Sequence, residues 1–396
     1  MLFLISFKLL TAFASCVEKN SDCGQLRKEA SWNVEGTLIL VLLSCLAGAA
    51  GIGGSCMVAS VMLVVFQFDT YLSAANTMAF IAAGSGTVIY LKLRDLDSKE
   101  HKNVIDYNFM LLAAGPLMFG VQLGTVLNHE APEWVLLLSI TLISLLTCAD
   151  TIQKVIRLYY RLPNPSQNMV LTLFPCLNPE FSQAVIVSSP GFYFSPNQSP
   201  YSNRSYSSVC LVFLSSLLYI CSTVRYQTVV LPITVYGLFT FVFSAVTAKY
   251  LIGIRKYTIL EPEKLTIWTM KKSILAVVFA SIAGVLVGLL GTGSGHIISP
   301  MIISLSLPGN STSITHSFCV FLATASGSFK NFVSGVILPQ YFALFASVAI
   351  FGNILGTGVL RPKLLRHNKI PHLLAVISFL TFISMSTYFY LTLVNF

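Results

Sequence analysis

Apolar runs recur from one end of this chain to the other, at roughly 36–67, 71–93, 107–127, 133–153, 207–224, 228–252, 273–307, 312–330, 340–360 and 370–394. No gap between them is large enough for a soluble domain, so a hydrocarbon core is where most of these side chains escape water. Bulk composition agrees. Of 396 residues, 55% are hydrophobic and 10% charged, with a mean hydropathy of +0.77, whereas soluble domains carry about 25% charged residues. In lipid a helix satisfies its own backbone, so the expected fold class is an all-α polytopic membrane protein with about 8–10 transmembrane segments. A soluble enzyme with a single anchor is excluded.

Residues 2–14 are apolar but too short to span comfortably, which leaves a first transmembrane helix as the alternative reading, and Ala12 and Ala14 form an A-x-A site before Ser15. This pattern predicts a signal peptide over 1–14 and an extracytosolic segment over 15–35. Cys16 and Cys23 lie in that segment, while the other cysteines show no C-x-x-C spacing. No metal site and no cofactor is expected. The net charge of +9 comes from basic residues clustered between apolar runs, which read as topology determinants rather than a nucleic-acid footprint.

A polar stretch at 162–206, rich in Ser, Asn and Pro (Pro163, Pro165, Pro190 and Pro196 among them), reads as a linker loop. It separates a first transmembrane repeat over 36–161 from connecting helices over 207–252, a basic cytosolic loop over 253–272 and a second repeat over 273–396. The first segment of each half is overlong, since about 31 residues at 1.5 Å each reach about 46 Å against a core of about 30 Å. Both are interrupted by glycines: Gly51, Gly53 and Gly54 followed by Ser55, and Gly291, Thr292, Gly293, Ser294 and Gly295. The offset of 240 residues between the runs also aligns Leu46 with Leu286, Gly48 with Gly288, Asn76 with His316 and Thr77 with Ser317. FGVQLGT at 119–125 matches FGNILGT at 351–357 in five of seven places. An internal duplication is the economical explanation.

Suppose the first segment folds back on itself, so that 71–93 carries the chain inward from an external start. Then Lys92, Arg94, Lys99, Lys102, Lys154, Arg157, Arg161, Lys249, Arg255, Lys256, Lys264, Lys271, Lys272, Arg361, Lys363, Arg366 and Lys369 all fall inside. Arg225 and Lys330 stay outside. This is the positive-inside bias, and it favours inverted repeats over the alternative of parallel repeats in which both overlong segments cross fully. The sequons at Asn197 and Asn203 then face the cytosol. Glycosidase treatment of the expressed protein is expected to leave its gel mobility unchanged; a shift would overturn the inverted arrangement.

GTGSGHIISP, from Gly291 to Pro300, resembles the G-x-G-G-G-x-x-x-x-P signature of the sulfite exporter TauE/SafE family, and GIGGSCMVAS is similar to its copy in the first half. The resemblance covers most of 36–160 and 270–394, with Ser55, Ser60 and Ser294 departing from the pattern. It implies transport of sulfite, organosulfonates or related small anions across the bilayer, and no enzymatic activity.

A helix interrupted in lipid leaves backbone N–H groups free, and two such breaks aim half-helix N-termini at a site suited to an anion. The candidate substrate-binding residues are therefore Gly51, Gly53, Gly54, Ser55, Gly291, Thr292, Gly293, Ser294 and Gly295. Asn76, Thr77, His316 and Ser317 would complete the hydrogen-bond shell. His296 and His316 are candidates for proton coupling. Gln122 and Asn353 read as interhelical glue, and Gly284-x-x-x-Gly288 as a packing motif. Asp150 alone among the acids sits well inside an apolar segment, which disfavours a cation substrate. Another small organic anion is a rival substrate, and a transporter-derived sensor a rival function. A remote alternative is an intramembrane serine hydrolase, with Ser294 as nucleophile and His316 as base.

Overall fold

A computed structural model describes residues 34–50, 55–97, 107–160, 230–254, 269–293, 298, 309–367 and 370–395. The predicted signal peptide, Cys16, Cys23, the 162–206 linker with Asn197 and Asn203, and the 207–224 segment lie outside the described residues. Among those described there is no strand. The helices are α1 (Val34–Ala50), α2 (Ser55–Val64), α3 (Thr70–Asp97), α4 (Tyr107–Glu130), α5 (Glu133–Tyr160), α6 (Val230–Ile254), α7 (Met270–Leu290), α8 (Gly309–Val333), α9 (Pro339–Asn353), a π-helical stretch at Ile354–Leu360, α10 (Arg361–Arg366) and α11 (Ile370–Asn395).

Among the described residues, six helical spans are long and apolar enough to cross a membrane: Thr70–Arg94, Phe109–Glu130, Pro232–Ile252, Met270–Leu290, Pro339–Leu364 and Pro371–Leu393. The chain is an integral, multi-pass membrane protein. The α3 and α4 spans are 72% and 78% buried against 33–44% for the other four, which puts α3 and α4 at the centre and the others at the rim. Leu142, Leu238, Ile274, Phe379 and Tyr390 point outward from α5, α6, α7 and α11, as lipid-facing side chains do. α8 is more polar and packs on α3 and α4. Its Thr315, Thr324 and Ser326 are fully buried, with Thr324 and Ser326 bonded back to their own helix. A helix shielded by others can carry hydroxyls that lipid would not accept.

The first overlong segment folds back. Phe66, beyond the end of α2, reaches Gly36 at the start of α1, with ring carbons 2.8 Å from where a Cβ on Gly36 would stand. The chain has returned to the level at which α1 began, and α3 starts there. In the second half α7 ends at Leu290, and the buried Ile298 lies in one apolar cluster with Ala276 and Ala280 of α7 and Cys319 of α8. The interruption predicted at both glycine runs is therefore present at the chain level. α6 continues to Ile254, and α7 begins at Met270, capped by Thr269, whose hydroxyl accepts from the Lys272 N–H.

Close approaches between helices fix their directions. Gly120 and Gly124 of α4 meet the α7 backbone at Ser281 and Val285, and Gly284 and Gly288 meet α4 at Leu117 and Val121. α4 and α7 thus run parallel with their backbones touching. In the other pair, Gly352 meets Val41 and Ser44 of α1, and Gly356 meets Cys45 and Ala49. Val41, Cys45 and Ala49 are the partners of Ser281, Val285 and Leu289 at the 240-residue offset, and Leu289 is the residue that Gly124 meets. The same contact is made twice, each time between the first helix of one half and the LGT helix of the other. The equivalent helices α3 and α8 run antiparallel, since Met78 lies against Gly327, Phe321 against Gly86, and Lys92 against Ser317. α5 and α11 are antiparallel too, with Cys148 beside Ser378, and Leu136 and Leu137 clustered with Tyr388. Equivalent helices crossing in opposite senses are consistent with inverted repeats.

These directions sort the described basic residues. Lys92, Arg94, Lys249, Lys271, Lys272, Arg361, Lys363 and Arg366 sit on helix turns at one end of the bundle. Lys330 is at the other end. It does not sit in a loop, as expected from the sequence; it occupies the last turn of α8, half-buried.

Candidate functional site

α7 stops because Gly291 adopts a left-handed conformation (φ 68°, ψ 5°) and its N–H returns to the Val287 carbonyl at 2.9 Å. The interrupted helix leaves carbonyls that lipid cannot satisfy, and Asn128 of α4 donates its side-chain amide to that of Leu289. The turn rests on the start of α3: a Cβ at Gly291 would lie 2.4 Å from the Ala74 Cα and 2.5 Å from its carbonyl oxygen. Thr292 is buried. Asn76 and Thr77 follow Ala74 within one turn and are 1% and 0% exposed. The Asn76 amide nitrogen donates to the Leu72 carbonyl at 2.9 Å, while Asn76 Oδ1 and Thr77 Oγ1 have no hydrogen-bond partner. Buried polar atoms without partners cost about 1–3 kcal/mol each, so their survival here suits a site that a ligand or water completes.

The same end of the bundle holds a lysine that the sequence reading placed only as a topology residue. Lys330 Nζ donates to Thr125 Oγ1 at 2.5 Å and to the Gln122 carbonyl at 3.3 Å, both on α4. Gln122 also ties α4 to α8 through its amide and the Ser326 carbonyl at 3.4 Å, with its Oε1 unpartnered. Ser328 Oγ, two residues before Lys330, is buried without a partner as well. None of the described carboxylates pairs with Lys330.

At the opposite end, Gly51, Gly53 and Gly54 lie outside the described residues, and Ser55 opens α2. The end of α1 is held by the second LGT helix. Thr357 Oγ1 donates to the Gly48 carbonyl at 3.3 Å, and the Asn353 amide donates to Ser44 Oγ at 2.8 Å and to the Ala349 carbonyl at 2.9 Å. Asn353 and Gln122 both bridge helices, in the manner expected of them. Ser317 accepts from Lys92 Nζ at 3.3 Å. The π-helical stretch Ile354–Leu360 is confined to this LGT helix, the one at Tyr107–Glu130 being α-helical throughout.

Asn76 and Thr77 on the one hand, and His316 and Ser317 on the other, are not brought to one point. Gly291 touches α3 at Ala74 and Ser317 touches it at Lys92, 18 residues along, or about 27 Å at 1.5 Å per residue. Each pair belongs to one end, because antiparallel equivalents put equivalent residues at opposite ends. His316, half-buried, is therefore not beside the Gly291 turn. Ser294, Gly295 and His296 lie outside the described residues. No group of three or more His, Cys, Asp or Glu able to hold a metal occurs among the described residues. The sequence signal for the lysines was their placement. Lys92 stands 16 residues after Asn76, and Lys330 14 after the equivalent His316.

Comparison with known proteins reaches the same place. The family model described as sulfite exporter TauE/SafE matches residues 1–151. Sulfite exporter TauE/SafE family protein 1 of Arabidopsis thaliana is 22% identical over 364 residues, 84% of this chain and 78% of that protein. Family protein 6 of the same plant is 22% identical over 381 residues, 93% and 84% of the two chains, and family protein 3 is 20% identical over 376, 90% and 78%. No solved structure matches the chain. The first helix of each half packed on the LGT helix of the other, the family model over residues 1–151, and relatives of 20–22% identity aligned over 84–93% of the chain lead to one conclusion: the chain is similar to the sulfite exporter TauE/SafE family.

Proposed function

We propose that this protein is a secondary transporter that moves a small oxyanion, sulfite or an organosulfonate, by alternating access between two helix breaks. The observation that carries the reading is the α7 break. A left-handed Gly291 ends the helix against α3, beside buried, unpartnered polar atoms of Asn76 and Thr77. Backbone N–H groups released at such a break, together with the hydroxyls of Thr77 and Thr292, form a donor set suited to an anion. Charge supports the same sign of substrate. The described carboxylate side chains, Glu35, Asp69, Glu130 and Glu133, are all exposed, whereas cation carriers rely on buried acids. The names of the Arabidopsis relatives make sulfite the first substrate to try.

The glycine-run residues Gly51, Gly53, Gly54, Ser55, Gly293, Ser294 and Gly295 are assigned to the anion path, with His296 or His316 as the proton-coupling group. The test is flux of labelled sulfite into proteoliposomes containing the purified full-length chain, with sulfate, sulfoacetate and acetate as competitors and Gly293→Leu as the control. Saturable sulfite uptake, reduced by sulfoacetate and lost in Gly293→Leu, is expected. Flux of none of these anions by correctly inserted protein would sink the transport reading.

A further inference from the structure

Resting on that reading, we propose that Lys330 and Lys92 are the anion-docking charges of the two membrane faces, each receiving the substrate oxyanion at its own end of the bundle. Neither residue belongs to the glycine breaks or to the polar pairs that follow them.

Three observations support the pairing. Both lysines are half-buried late in equivalent helices, Lys92 on α3 and Lys330 on α8, and both donate to a hydroxyl on a neighbouring helix, Ser317 for the first and Thr125 for the second. Because α3 and α8 run antiparallel, this places one ammonium group at each end, with Lys330 on the level of the α7 break. Lys330 shares its end with Gly291, Asn76 and Thr77; Lys92 shares its end with the last turn of α1, Ser317 and Arg361.

The chemistry at Lys330 is the more telling. An ammonium group has three donors, and Gln122 and Thr125 take two of them. Both partners are neutral, and no described carboxylate pairs with it. A half-buried cation is costly without a counter-charge. A helix C-terminus offers it only partial negative charge. A small oxyanion seated on the third donor would supply the missing charge and give the hydroxyls of Thr77 and Ser328, both at this end, an acceptor to bond. The ligand class is a compact oxyanion with at least two free oxygens, such as a sulfonate or sulfite, rather than a halide.

The experiment measures sulfite half-saturation separately from each face, in membrane vesicles of the two opposite orientations, for wild type, Lys330→Met, Lys330→Gln, Lys330→Arg and Lys92→Met. Thermal stabilisation by sulfite in detergent is read on the same proteins. Lys330→Met is expected to raise half-saturation at least about tenfold for sulfite presented at the face opposite the basic loops, with a much smaller change at the other face. Lys92→Met should do the reverse. Lys330→Arg should retain wild-type affinity, and Lys330→Gln, which still offers a donor to the Gln122 carbonyl, should fold normally yet lose the sulfite-induced stabilisation. A wild type that moves sulfite while Lys330→Met and Lys330→Gln leave both faces unchanged, or weaken both equally, overturns the lysine inference alone. A wild type that neither moves sulfite nor is stabilised by it overturns the transport reading, and the inference falls with it.

Discussion

Gly356→Ala is expected to abolish recovery of folded protein, whereas Gly358→Ala, two residues along the same π-helical stretch, is expected to leave it unchanged or slightly more stable. Both changes add one methyl group and carry the same helix-propensity gain of up to about 1 kcal/mol. Their surroundings differ completely. A Cβ at residue 356 would lie 2.1 Å from the Cys45 carbonyl oxygen and 3.0 Å from the Ala49 nitrogen, while one at residue 358 meets nothing within 4 Å. The obstruction is backbone, which cannot rotate away as a side chain would, so α1 must move off the LGT helix as a body. Helix association in lipid depends on close packing, with little hydrophobic drive to compensate a lost interface. The cost should exceed about 3 kcal/mol. Yield of monodisperse protein and its thermal midpoint in detergent check this. A Gly356→Ala protein melting within about 2 °C of wild type would show that α1 does not pack here. Gly284→Ala, whose Cβ would stand 2.1 Å from the Leu117 carbonyl, should reproduce the effect at the equivalent α4–α7 contact.

Gly291→Ala is expected to fold poorly and to lose sulfite flux by about a hundredfold or more in whatever protein is recovered. Two costs add at this position. The left-handed conformation costs an alanine about 1–2 kcal/mol, and its Cβ would stand 2.4 Å from the Ala74 Cα. Relief requires either an unwound turn or an outward shift of the start of α3, and each moves the Gly291 turn relative to Asn76 and Thr77. A displacement of about 1 Å suffices for a loss of that size where geometry governs the step. Flux per correctly inserted protein, normalised to the detergent melting curve, separates the two effects. Wild-type flux in Gly291→Ala would mean that the turn is not part of the anion path.

Local sequence carried a large part of this structure. The overlong apolar runs, with glycines in the middle of each, announced interrupted helices because an unbroken helix of that length does not fit the bilayer. The 240-residue offset survives as atomic contact, with Val41, Cys45 and Ala49 doing for Gly352 and Gly356 what Ser281, Val285 and Leu289 do for Gly120 and Gly124. Gly284-x-x-x-Gly288 was readable as a packing motif, since small residues at that spacing serve helix contact in lipid. Its partner was not readable. The segments fixed their own character, and charge asymmetry fixed which ends share a face, through terms that act on each segment alone.

Pairing between segments was decided by the tertiary structure. Each first helix packs on the LGT helix of the other half rather than of its own, a choice made by matching surfaces more than 150 residues apart in sequence. Two consequences were out of reach of the sequence for the same reason. Antiparallel α3 and α8 send Asn76 with Thr77 and His316 with Ser317 to opposite ends, although their spacing from the breaks suggested one site. Lys330, which looked like a loop cation, is drawn into the bundle because Thr125 and Gln122 of α4 lie beside the last turn of α8. Apolar periodicity, glycine breaks and charge bias are properties of short stretches and are written in them. Which helix meets which, and where a charge is thereby stranded, are properties of pairs of distant stretches, and only the packed bundle determines them.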